Sequence, residues 1–497
     1  MLTAVLAGCG AFLFIGVRTV PIVLWDESRN AVNALEMHQR GLSLVTTYGG
    51  RPDLWNTKPP LLIWSMWTSM AVFGPSEWSV RLPSMMAAMA TLALTFSFTR
   101  RVTGSVSAAA LSTFLLVSSL NFFGEFGART GDYDALLGLF TTGYLHQLFF
   151  AVHRRKPGAG HLMAVALLVS GAVLTKSVMG LLPGVGVAAY LLLTGRWRRP
   201  MQSPWYAAAG LAAVLPVAAF VLLREHAAPG YLRAAMTNDL GGRFGAAVEG
   251  HLGPPSFYLD TVFGLGLFSA GVPALLAPLG MLTAKGVARQ GLMFALCVVV
   301  GVIVLLSLSA TKLAHYASPA LPFLAIACAL AIREGLRALR RRGQAGRFGS
   351  GLATAVLALG LGLIACRAAW LRLDFLPGQE FRPKALYGEL FRSLEQQGVR
   401  AVDVVEGGVG TLGWRTDGVP TDYAPQLRFY TLLAGEQGLR VRRITPDGLA
   451  AAGPGDLVAS CDPAFWNIVS QRGADLSTVA GCKVVRSGAP PPIARRR

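Results

Sequence analysis

The chain has 497 residues, 53% hydrophobic and only 14% charged, where a soluble globular chain carries about a quarter charged residues. A formal net charge of +19 raises nucleic acid as a partner. The basic residues, however, fall in every second connection between apolar blocks: Arg100-Arg101, Arg154-Arg155-Lys156, Arg196 with Arg198-Arg199, Lys285 with Arg289, and Arg333 through Arg347. That alternation marks the cytoplasmic loops of a multispanning protein, and it excludes nucleic-acid binding.

The apolar blocks run Leu2–Leu24, Leu82–Phe98, Ser105–Phe123, Ala135–Val152, His161–Leu174, Leu181–Leu193, Ala207–Leu223, Phe257–Leu282, Leu292–Leu308, Tyr316–Ile332 and Leu352–Trp370. Most approach the roughly 20 residues a helix needs to cross hydrocarbon. An all-α polytopic membrane domain of about 11–13 transmembrane helices is therefore expected over residues 1–371. The first block lacks a basic n-region and a small-x-small cleavage site, so it reads as a retained span. The basic loops put the amino terminus in the cytoplasm of a bacterial-type inner membrane. The connections after Leu24, Phe123, Leu174, Leu223 and Leu308 then lie outside. The first of them, residues 26–81, is far longer than a turn. Its amphipathic stretch Glu36-Met37-His38-Gln39-Arg40 and its short apolar stretch Pro60–Phe73 are expected along the membrane interface.

After Trp370, Pro377, Gly378 and Pro383 mark a linker, and residues 372–486 have the composition of a soluble domain. Ala401–Glu406, Leu439–Ile444 and Asp456–Ser460 read as strands and Tyr387–Gln397 as a helix, giving a small α/β domain on the outer, periplasmic face. The tail 487–497, with three prolines and a terminal Arg-Arg-Arg, reads as disordered. Cys461 and Cys482 lie in the outer domain, where an oxidising compartment permits a disulfide; two free thiols are the alternative.

Two acidic clusters flank outer connections. Asp26 and Glu27 follow the first span, and Asp132 and Asp134 precede the fourth. Helix capping explains any one of them, but not the return of acid to the same face. Cations recur there too: Arg29, Lys58, Lys176, Arg243 and Lys312, against the positive-inside bias. Lys176 stands between two apolar runs, where burial costs roughly 2.5–3.5 kcal/mol unless an anion or snorkelling offsets it. Lys and Arg suit a lipid phosphate, and the carboxylates suit an acid/base or orienting role. No Walker loop, zinc spacing or serine elbow appears.

These residues resemble the bacterial C-type (GT-C) glycosyltransferases, in particular the lipid A aminoarabinose transferases, which are related to the protein O-mannosyltransferases. The marks, in order, are Asp26-Glu27, Lys58-Pro59-Pro60-Leu61 with Trp64, and Phe73-Gly74 leading to Arg81-Leu82-Pro83-Ser84. Ala128-Arg129 with Asp134, Leu174-Thr175-Lys176, His251 with Pro254 and Tyr258, and His315-Tyr316 with Pro319 and Pro322 follow. The resemblance implies a polyprenyl-phosphate-linked sugar donor, transfer with inversion, and an acceptor that is a lipid such as lipid A, another glycan or a protein. It implies that Asp26 orients or deprotonates the acceptor, that Asp134 is the second acidic position, and that Arg29, Lys58, Lys176 and Tyr316 line the carrier-phosphate site, with His251 contributing from a later loop. Thr57 stands where several relatives have Glu, and Asn30 where an aromatic residue is common. A divalent metal is left open, a monomer is expected, and the rival reading is a transporter or flippase of a lipid-linked saccharide.

Overall fold

The structure, a computed structural model, describes residues 2–14, 17, 20–22, 26–124, 126–154, 157–240, 250–263, 277–341, 362, 369, 387–406, 423–479 and 481–488. Its principal helices in chain order are α1 (Leu2–Phe14), α2 (Asp26–Arg40), α3 (Leu61–Phe73), α4 (Glu77–Thr103), α5 (Val106–Val117), α6 (Tyr133–His153), α7 (Ala159–Lys176), α8 (Gly184–Leu193), α9 (Pro204–Ala227), α10 (Gly286–Leu308), α11 (Leu321–Arg341), α12 (Tyr387–Gln396) and α13 (Pro425–Glu436). The strands are β1 (Thr47–Tyr48), β2 (Arg51–Pro52), β3 (Ala401–Val405), β4 (Arg440–Ile444), β5 (Leu457–Ser460), β6 (Gly473–Val479) and β7 (Cys482–Ser487).

Among the described residues, six helical stretches are long and apolar enough to cross a membrane: Glu77–Thr103, Tyr133–His153, Ala159–Leu181, Pro204–Ala227, Gly286–Leu308 and Ala314–Ala338. The chain is a multi-pass membrane protein. Four further apolar helices, α1, α3, α5 and α8, have only 10–17 residues. At about 1.5 Å per residue these fall short of a ~30 Å hydrocarbon layer. One expected block is interrupted: the block from Ser105 breaks after Val117, where Ser118 and Ser119 intervene before a single turn over Leu120–Phe123. Of the block from Leu2, the described helix covers Leu2–Phe14, and residues 15, 16, 18, 19, 23 and 24 lie outside the described residues. The block Leu352–Trp370, apart from residues 362 and 369, lies outside the described residues, as do residues 264–276 and the linker.

The chain divides into two compact units. The first comprises Met1–Val17, Thr57–Ser65 and Arg81–Pro377. In it α6 and α7 form a hairpin, α7 also packs on α9, α8 on α10, and α5 and α10 on α11. Where α8 crosses α10, a Cβ on Gly186 would lie 2.3 Å from the Cys297 carbonyl oxygen, and one on Gly301 2.6 Å from the Gly186 nitrogen. Only glycine permits that backbone approach, the usual device for packing helices in lipid. Phe98, Phe149, Phe294 and Tyr190 fill the adjoining core, with ring centroids 5.0–5.2 Å apart along that series.

The second unit comprises Arg18–Asn56, Met66–Val80 and Gly378–Arg497. Its five-stranded sheet has the order β4-β3-β5-β7-β6. β3 pairs in parallel with β4 and β5, while β7 runs antiparallel to β5 and β6. The three expected strands and the expected helix are present as β3, β4, β5 and α12, over a core that includes Val405, Val458 and Val485. Cys461 and Cys482 are joined as a disulfide. Against α13 lies α2, whose residues from Glu27 to Met37 are all buried. Of the stretch expected along the membrane interface, Glu36 is instead buried, 2% exposed, and Met37 with it, because α13 covers this part of the helix; Gln39 and Arg40 are exposed.

Candidate functional site

In the first unit, the hairpin brings the N-terminal end of α6 beside the C-terminal end of α7. Asp134, 3% exposed, accepts a hydrogen bond from Lys176 Nζ at 2.6 Å on one carboxylate oxygen and from Ser318 Oγ at 3.0 Å on the other. Lys176 is 5% exposed, and its ammonium lies 5.2 Å from the centre of the Tyr316 ring. The buried lysine therefore has both a counter-ion and a π-face. That arrangement offsets the desolvation cost of a cation at the edge of hydrocarbon. Immediately after it, Ser177 adopts φ 47°, a region that side chains other than glycine occupy at a cost of order 1–3 kcal/mol and mainly at functional positions.

Asp132 makes different contacts from Asp134. Asp132 is the N-cap of α6, and its carboxylate accepts from the Tyr133 backbone N–H at 2.6 Å. Lys58 reaches the same helix start, with its ammonium 5.6 Å from the Tyr133 ring centre. The segment carrying Lys58 is tied down by Thr57, whose hydroxyl donates to Asp239 at 2.8 Å and whose carbonyl accepts from Tyr231 at 3.0 Å. A glutamate at Thr57 would face Asp239 with like charge.

Lys312 is placed differently. Its ammonium donates to the carbonyls of Leu306, Ser307 and Ser309 at 3.2, 2.7 and 2.6 Å. An ammonium has three N–H groups, so Lys312 closes the C-terminal end of α10 with all of them, as cations near helix C-termini do. His251 is exposed and offers its carbonyl to the Lys312 backbone N–H at 3.0 Å. His315 stacks on Phe126 at 4.4 Å and meets Tyr316 edge-on at 4.9 Å. Arg243 lies outside the described residues.

In the second unit, Asp26 and Glu27 form the first turn of α2, where carboxylates suit the helix dipole. Asp26 pairs with Arg29 one turn on, and its side chain keeps 34% of its surface open against 10% for Arg29. Glu27 is buried. Behind them runs a buried amide network. The Asn33 amide donates to the Thr47 carbonyl at 2.8 Å and to Asp53 at 3.0 Å, and the Asn56 amide donates to Asn30 at 3.2 Å and to Asn33 at 2.8 Å. Asn30 is thus an acceptor that an aromatic side chain would not supply.

Sequence reasoning missed Ser318, which has no signal beyond its place near Tyr316, and it missed Glu36 and Arg428. Among the described residues, no three His, Cys, Asp or Glu side chains group to hold a metal ion.

Residues 57–223 match the family model described as dolichyl-phosphate-mannose-protein mannosyltransferase; that stretch contains Lys58, Asp132, Asp134 and Lys176. A 183-residue stretch, 37% of this chain, is 31% identical to an uncharacterized protein of Aquifex aeolicus (strain VF5), of whose length it spans only 35%. Among solved structures, ArnT from Cupriavidus metallidurans bound to undecaprenyl phosphate matches 98% of this chain and 99% of its own with a TM-score of 0.67 at 18% identity. The archaeal oligosaccharyltransferase AglB from Archaeoglobus fulgidus, in complex with an inhibitory peptide and a dolichol-phosphate, matches 94% of this chain and 70% of its own with a TM-score of 0.50 at 11% identity. The fold expected from the sequence is therefore present: the chain has the GT-C fold, with a small sheet domain towards its C-terminus.

Proposed function

We propose that this protein is a membrane glycosyltransferase that moves a sugar, with inversion, from a polyprenyl phosphate to a lipid, glycan or protein acceptor on the outer side of a bacterial inner membrane. The observation that carries the reading is the state of Lys176. It is a buried cation at a helix end, and among the described residues only one of its three N–H groups is spent on a side chain, that of Asp134. A lipid phosphate is the anion such a group suits. The fold shared with a protein that binds undecaprenyl phosphate supports this reading.

Glycosyl transfer develops positive charge on the sugar and negative charge on the departing phosphate. In the proposed mechanism Lys176 and Lys58 neutralise that phosphate, Tyr316 walls the ammonium, and Asp134 holds Lys176 charged and oriented; Arg29 is given the same role by the sequence resemblance alone. Asp26, on the first turn of α2 and partly open, orients the acceptor or takes its proton. Asp132 serves as a cap and Lys312 as a helix stop. The orientation follows from charge: Arg100, Arg101, Arg154, Arg333 and Arg337 face the cytoplasm. The opposite helix ends, with loop 26–81 and the 372–486 domain, then face outwards.

The test is transfer from radiolabelled polyprenyl-phosphate sugar in membranes containing wild type, Asp26→Asn or Lys176→Met. Label passing to a new acceptor with wild type and not with either variant is the expected result. Label that crosses the bilayer unconverted would make the protein a transporter instead.

A further inference from the structure

A helix as polar as α2, with the sequence DESRNAVNALEMHQR, normally lies in water; here it is buried from Glu27 to Met37. Burial of so many polar groups demands partners for each, and α13 supplies several. Before α2 begins, the Gln426 side chain donates to the Ile22 carbonyl at 2.6 Å, and the Ile22 N–H donates to the Tyr430 hydroxyl at 2.8 Å. Further along α2, Arg428 places Nε at 2.9 Å and Nη2 at 2.6 Å from one oxygen of Glu36. Near the helix end, Gln39 donates to Glu436 at 2.9 Å. The Glu36 carboxylate is otherwise filled by Thr47 Oγ1 at 2.8 Å and by the Gly49 and Gly50 N–H groups at 2.8 and 3.1 Å. Asp26 and Arg29 lie between these anchored points.

A second route leads to the same pair. The Arg428 guanidinium lies 5.2 Å from the Tyr48 ring centre, and Tyr48 stacks on Tyr423 at 4.9 Å. Burial pushes the Tyr423 phenol well up, Arg29 pulls it down, and Asp53, Tyr48 and Asp26 add to the rise. The Tyr423 ring therefore stands in the field of Asp26 and Arg29.

We propose that α13 is the positioning element of the Asp26 site, and that Arg428, acting through Glu36, is a positioning residue that sets Asp26 for the reaction. This rests on the transferase reading above.

The experiment uses the purified full-length protein as wild type, Arg428→Met, Arg428→Lys, Asp26→Asn and the Arg428→Met/Asp26→Asn double variant. Transfer rate per folded molecule, donor KM and amide hydrogen exchange over α2 are measured. Misplacement of a reacting group by about 1 Å costs about 10²-fold in rate. Arg428→Met should therefore lower kcat towards that extent with donor KM little changed, and Arg428→Lys should recover part of it. In the Asp26→Asn background Arg428→Met should add little, because the two act through one group. Exchange should quicken in residues 26–30. Unchanged rate per folded molecule, effects that multiply with Asp26→Asn, or faster exchange confined to residues beyond Glu36 would each overturn the proposal. If wild type forms no product, the transferase reading fails by itself, and the exchange pattern alone still decides whether Arg428 orders the Asp26 turn.

Discussion

Lys176 and Lys312 are both nearly inaccessible lysines at helix ends, yet their hydrogen bonds assign them different work. Among the described residues Lys176 donates to one carboxylate oxygen, whereas Lys312 donates to three carbonyls. Lys176→Met is accordingly expected to raise donor KM by at least about tenfold, the loss of ~1.4 kcal/mol of charge-assisted hydrogen bonding to phosphate. Lys312→Met should leave donor KM unchanged and lower the unfolding temperature, as read by a thermal-shift assay in detergent. The two aspartates separate in the same way. Asn is as good an N-cap as Asp, so Asp132→Asn should retain stability and transfer, while Asp132→Ala should cost about 1 kcal/mol. Asp134→Asn leaves the Lys176 charge buried without its counter-ion, a loss of about 3–5 kcal/mol for a fully buried pair. That variant should show both reduced yield and reduced transfer. Equal behaviour of Asp132→Asn and Asp134→Asn in the transfer assay would remove the distinction.

Among the elements, α2 is the one whose stability depends most plainly on pH. For Glu36, burial raises the pKa, but the Arg428 charge and hydrogen bonds, together with those from Gly50 and Thr47, outweigh it, and the net direction is down. A carboxyl whose folded pKa is depressed contributes stability that is fully present above its unfolded value of about 4.3 and is lost as pH falls through the folded value. The unfolding-temperature gap between wild type and Glu36→Gln should be largest near neutrality and close as the pH drops below about 4. A gap that stays constant from neutral to acid pH would show that Glu36 acts by shape alone. The hairpin that feeds Glu36 imposes its own demand. Gly49 and Gly50 have φ of 62° and 79°, the two-residue turn that matches strand twist and that glycine accepts freely. A Cβ on Gly50 would also lie 2.5 Å from Arg40 Nη2, so Gly50→Ala is expected to destabilise by about 1 kcal/mol or more, measured by chemical unfolding.

At the scale of the whole molecule, the packing of apolar helices and the compartment of the sheet domain each have a direct test. Gly186→Leu would drive a side chain into the α10 backbone and should lower thermal stability in detergent, while the same change at Gly184, whose Cβ direction is open, should be tolerated. Among the described residues Cys461 and Cys482 are joined and Cys9, Cys297 and Cys328 are free thiols, so maleimide should label those three in the unfolded, unreduced protein and spare Cys461 and Cys482; labelling of that pair without reductant would argue against an oxidising compartment. Much of this organisation is legible in the residue string. Block hydropathy and alternating basic loops announce a polytopic helical protein, because crossing lipid demands length and apolarity that no other fold needs. The strands of the sheet domain are likewise visible as Val-rich runs between turns. The Asp26, Asp134 and Lys176 signals stand out because charge at a membrane edge is costly. What the string does not carry is pairing. Nothing in it says that Lys176 meets Asp134 and Ser318, that Lys312 is consumed by carbonyls, or that Glu36 is buried against Arg428, which stands in a part of the sequence far removed from it. Those partners are brought together only by helix crossings and domain contacts between distant segments. A charged residue exposed to water and one buried in an ion pair are the same letter, and only tertiary structure supplies the partner that decides between them.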